Sequence, residues 1–208
     1  MRLLINIVIT ICLVSVSSAF YLYGQVVPLS FDLRNYEGEN YVTPVKEQEG
    51  GTCWAHAAMA SAESNLLMNG NWNSAETETP NLSEYHLDWW NGFNKAYNQD
   101  TMMVPPSGIE VHAGGDYRVA AAYFARHDGA ITDTTQDFFW FDNKPARKSS
   151  NYTTFYVRDI EWYANGSQSN NINLIKSKIM AHGALATCVA FDDAFISDNF
   201  IHYQNPND

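Results

Sequence analysis

The sequence predicts an α+β fold, on three observations. First, an alanine-rich run (Ala55, Ala57, Ala58, Ala60, Ala62) opens at Cys53 behind Gly50-Gly51 and closes at Asn69-Gly70, a helix bounded by breakers at both ends. Second, Tyr117, Val119, Ala120, Ala121, Tyr123 and Phe124 form a helical run with Asp116 as its N-cap, closing at His127-Asp128-Gly129. Third, Ile172, Ile175, Ile179 and Met180 recur at helical spacing up to Gly183, with strand-like Tyr156–Ile160 before them and an alternating run from Ala184 to Phe191 after them.

A chain of 208 residues suits one moderate domain or two small lobes sharing an interface. With 46% hydrophobic and 14% aromatic residues it can bury a core, which argues against disorder. The segment Asp142 to Tyr152 is basic and polar, and a lobe boundary is placed near it, dividing residues 31–148 from 149–208. No internal repeat, coiled coil or low-complexity segment is present.

The first residues, Met1-Arg2 and an apolar run from Leu3 to Val14, read as a signal peptide over 1–19, with Ser17-Ser18-Ala19 before the cleavage point. Roughly 12 apolar residues are too few to span a bilayer. The expected location is therefore outside the cell or in the periplasm. Residues 20–30 form a short leader. Without Arg2 the chain holds 11 Lys+Arg against 23 Asp+Glu, a formal charge of −12. Such acidity disfavours nucleic acid and anionic lipid surfaces as partners, and its simplest use is solubility. Beyond the signal only Cys53 and Cys188 remain, and Cys188 is expected to be a buried free thiol in the alternating run.

The chemistry concentrates on Cys53. A thiol at a helix N-terminus meets unpaired N–H groups and the macrodipole, which favour the nucleophilic thiolate. Gln48 stands five residues upstream and carries an amide that can donate to a developing oxyanion. Glu84, His86 and Asp88 suggest a metal cluster, but only Glu84 and Asp88 share a helical face, and neither H-E-x-x-H nor C-x-x-C occurs. No metal and no other cofactor is expected. His56 follows Cys53 by three residues and reads as a core or rim histidine.

Pro44-Val45-Lys46, Gln48, Gly50-Gly51-Thr52-Cys53-Trp54-Ala55 resembles the active-site segment of papain-like cysteine peptidases, the C1 family, in a bacterial-type secreted form. Further segments carry the same resemblance: Phe31-Asp32-Leu33-Arg34, Leu82-Ser83-Glu84, Gly114-Gly115 before a short helix, and the helix, Gly183 and run that follow Ile172. The resemblance implies a two-lobed papain-like fold, helical in the first lobe and β-rich in the second. It implies peptide-bond hydrolysis with Cys53 as nucleophile and with Gln48 and the Cys53 N–H as oxyanion donors. It also implies peptide or protein substrates held beside Gly114, Gly115 and Trp54. In that family the glutamine usually stands one residue further from the cysteine, and Trp89 stands where a disulfide cysteine often falls.

The family's catalytic histidine and asparagine come after the landmark matched here by Phe195-Ile196-Ser197 and Ile201-His202-Tyr203. Both are expected beyond Asp208, so the sequence reads as an N-terminal portion with an incomplete β-rich lobe. The 11 residues of the leader leave no room for a long inhibitory propeptide. The competing expectation is a secreted pseudoenzyme that binds peptide without cleaving it. Substrate preference and oligomeric state are not encoded in any motif of this sequence.

Overall fold

A computed structural model describes residues 27–72, 81–99, 108–132, 139–163 and 169–189. The expected signal peptide, most of the leader and the landmarks from Phe195 to Tyr203 lie outside the described residues. Among those described, five helices accompany one small antiparallel sheet, so the fold is α+β: α1 (Cys53–Met68), α2 (Glu84–Trp90), α3 (Tyr117–Ala125), β1 (Ile131–Thr132), α4 (Phe139–Asp142), β2 (Thr153–Thr154) and α5 (Ser169–His182). No described helix is long and apolar enough to cross a membrane. The chain groups into two compact units, and the division falls inside α1, between Ala62 and Glu63.

One unit draws its described residues from 27–45, 63–72, 81, 158–163 and 169–184. Asp32 opens a 3-10 turn at Leu33–Asn35 by accepting the Arg34 N–H. Glu37 (φ 55°) and Gly38 (φ 88°) then make a two-residue turn closed by the paired Tyr36–Glu39 hydrogen bonds. Positive φ at both central positions gives the twist that a tight hairpin requires. The end of α1 supplies polar anchors here. Glu63, fully buried, accepts from Thr43 Oγ1 at 2.6 Å, and Asn65 Nδ2 donates to the His182 carbonyl at 2.8 Å. Ser64 Oγ accepts the Ala184 N–H at 2.9 Å just past Gly183 (φ +98°), where a Cβ would sit 2.6 Å from that same Oγ. Both the left-handed backbone and the lack of space demand glycine at this helix end.

The other unit holds a core of Tyr85, Ile131 and Trp140, with Trp89, Phe141 and Tyr152 packed against them. Ring pairs such as Tyr85–Phe141 (5.7 Å, 78°) and Trp140–Tyr152 (5.7 Å, 69°) meet edge to face, a geometry that contributes about 0.5–1.5 kcal/mol beyond area burial. Ser83 caps α2 by accepting the His86 N–H, and its own N–H donates to Ile131, fastening helix to sheet. Asp116 caps α3 as the sequence predicts, accepting from the N–H groups of Arg118 and Val119. Past α3, buried Asp128 accepts from Arg147 at 2.6 Å and Arg126 at 3.1 Å.

Two expectations are corrected. Tyr156–Ile160 is not a strand: pairing is confined to Ile131↔Thr154 and Thr132↔Thr153, extended by the Phe155 N–H to the Ala130 carbonyl. Cys188 is exposed rather than buried, and residues 184–189 form no strand. Alternation marks which faces a strand would present, but a strand also needs a ladder partner, and these segments have none among the described residues.

Candidate active site

The loop before α1 is held at each step. Lys46 Nζ lies 2.7 Å from Glu84, whose carboxylate is buried on α2. The Glu49 N–H donates to Tyr85 Oη at 3.0 Å, and Thr52 Oγ1 donates back to the Glu49 carbonyl at 2.9 Å. The Gly51 N–H donates to the His112 carbonyl at 2.7 Å. Gly50 has φ +65°, and a Cβ there would lie 2.9 Å from the His112 carbonyl; one on Gly51 would lie 2.9 Å from the Gly114 nitrogen. The glycine pair therefore lets this loop lie flat against the 112–114 backbone.

Fully buried Thr52 ends the loop, and its carbonyl accepts the N–H groups of Ala55 and His56, starting the helix. Cys53 is the first residue of α1, with an exposed, unpaired thiol, while Trp54 and Ala55 turn inward. The thiol thus stands at the positive end of a 16-residue helix, next to backbone donors that the helix leaves unpaired.

Beside it, Trp54 lies buried under Gly115, and a Cβ on that glycine would come within 2.7 Å of Trp54 Cδ2. Gly114 has φ +123° and open space where its side chain would be. The two glycines differ, one closing over an indole and the other open.

The model of the papain family cysteine proteases matches residues 27–205 of this chain. The chain belongs to the papain family. That membership covers the loop, the cysteine and both glycines described above. In this papain-family domain the Gln48 side chain is exposed, with Nε2 donating to the Gly50 carbonyl at 3.2 Å. An amide nitrogen carries two N–H bonds, so one donor remains for a ligand. His56 directs Nδ1 at the Thr52 carbonyl (3.0 Å) and sets its ring edge-on to Tyr85.

The apparent Glu84–His86–Asp88 cluster disperses to three separate sets of partners. Glu84 goes to Lys46. His86 goes inward, its Nδ1 2.6 Å from Tyr123 Oη and its Nε2 3.2 Å from the Arg147 carbonyl; burial pushes its pKa down to about 4. Asp88 goes to His112, at 2.6 Å from the ring and 3.0 Å from the backbone N–H. Burial pushes the Asp88 carboxyl above its ordinary value, and His112 opposes that shift. No group of three or more potential ligands that could hold a metal occurs among the described residues. The residue that sequence reasoning missed is His112. Its place two residues before Gly114-Gly115 was the available signal, and only the fold reveals its partner 24 residues away.

Proposed function

We propose that this chain is an exported cysteine peptidase that hydrolyses peptide bonds through Cys53. The observation that carries the reading is the exposed Cys53 thiol at the first residue of α1, behind a loop tied at Glu49, Gly51 and Thr52. The thiolate attacks the scissile carbonyl carbon, an S–C bond forms, and the carbonyl electrons move onto oxygen. The Cys53 N–H and the free N–H of Gln48 stabilise that oxyanion. Collapse expels the amine, which leaves with the proton that the base took from the thiol. Water then hydrolyses the thioester, releasing the acid and restoring the thiol.

Gly114 and Gly115 offer their backbone to an extended peptide, a strand-addition mode, and Trp54 supports them from beneath. None of His56, His86 and His112 is assigned as the base: His86 and His112 commit both ring nitrogens to other partners, and His56 commits Nδ1. Export rests on the signal-like 1–19 segment.

The test is labelling with a cysteine-peptidase epoxide inhibitor, followed by mapping of the modified residue and a peptide-hydrolysis assay. Labelling at Cys53, lost in Cys53→Ser, together with hydrolysis supports the peptidase. Peptide binding and Cys53 labelling without hydrolysis would replace it with the non-catalytic binding reading.

A further inference from the structure

His112 sits in a left-handed backbone conformation (φ 66°), uncommon for a residue with a side chain. Such a conformation persists where surrounding contacts over-determine it. Here they do. Both the backbone N–H and ring Nδ1 of His112 point at one oxygen, Asp88 Oδ2, at 3.0 and 2.6 Å. Ring Nε2 lies 2.8 Å from the Phe141 carbonyl, and the Phe141 ring stacks on the imidazole at 4.2 Å. Trp89 closes the remaining side, edge-on at 5.2 Å.

Ring and backbone N–H are thus held together on Asp88, and the carbonyl of the same residue accepts the Gly51 N–H at 2.7 Å. Gly51 is two residues from Cys53.

We propose that His112 is a positioning residue: with its ring clamped between Asp88 and the Phe141 carbonyl, it aims its own backbone carbonyl at Gly51 and so sets the loop that presents Cys53. The titratable groups around it are Asp88 and Tyr85 from α2, with His56 of α1 behind Tyr85 and Lys144 over the Trp89 ring. The catalytic significance rests on the peptidase reading; the clamp itself does not.

Amide exchange on the full chain tests the clamp. Asp88→Asn and His112→Asn should each speed Gly51 exchange about tenfold or more, the scale of one hydrogen bond. Both should slow alkylation of Cys53 by iodoacetamide. Asparagine tolerates left-handed backbone, so His112→Asn separates the ring's role from conformational preference. Unchanged Gly51 exchange in a folded His112→Asn protein would sink the idea, as would unchanged alkylation. A wild-type Cys53 that ignores the epoxide, beside a Gly51 whose protection falls in His112→Asn, would remove the peptidase reading and leave the clamp standing.

Discussion

Gly115 presses its Cα against the Trp54 indole so closely that a Cβ would come within 2.7 Å of Cδ2. Gly115→Ala should therefore destabilise the fold by about 1–3 kcal/mol through overpacking, read as a lower urea midpoint with an unchanged slope. A variant as stable as wild type would show that the indole can move aside.

Gln48→Ala separates chemistry from stability. The side chain is exposed and makes one local hydrogen bond, to Gly50, so the melting temperature should hardly move. Loss of an oxyanion donor should lower kcat by about 10²–10³ with little change in KM. A raised KM with kcat unchanged would assign Gln48 to binding instead.

His86 sets a limit on acid stability. Its folded pKa of about 4 lies below the ordinary 6.5, because burial disfavours the charged ring. As pH falls below 6.5 the unfolded chain takes up a proton that the folded chain refuses. Stability present above pH 6.5 is lost down to about pH 4, a drop of about 3 kcal/mol from this residue. Asp88, whose folded pKa is raised, works in the opposite sense at the acid end. His86→Gln does not titrate, so it should flatten the stability curve between pH 6.5 and 4 relative to wild type. Parallel curves would contradict the assignment.

Asp128→Ala should be the most damaging of these substitutions. The carboxylate is 1% exposed and neutralises Arg126 and Arg147, which are 24% and 35% exposed. Their partial access to solvent places the cost at about 2–3 kcal/mol, below that of a wholly buried pair. Arg126 also donates to the carbonyls of Trp90 and Asn91, so amide exchange should accelerate at the end of α2 before it does elsewhere.

Helices α1, α3 and α5 were legible because breakers and caps are local. Gly50-Gly51, Asn69-Gly70, Asp116 and Gly183 each mark a boundary within a residue or two of the observed one. The loop before α1 was legible for the same reason, since Gly50-Gly51 marks it. Pairing was not, since an alternating run such as 184–189 looks alike with or without a neighbour to bond. Nor was the Asp88–His112 clamp: its members are 24 residues apart, and its function depends on a backbone angle that no motif records. Lys46–Glu84 and Glu63–Thr43 were illegible likewise, each joining distant segments through buried carboxylates.

Cys53 and Cys188 are both exposed thiols without a bridge. Air oxidation of a purified sample can therefore couple two molecules through sulfur, and any coupling at Cys53 consumes the atom on which the proposed chemistry depends. Handling follows directly: reductant throughout purification, thiol titration before every assay, and Cys12→Ser with Cys188→Ser as the background on which Cys53 alone is counted.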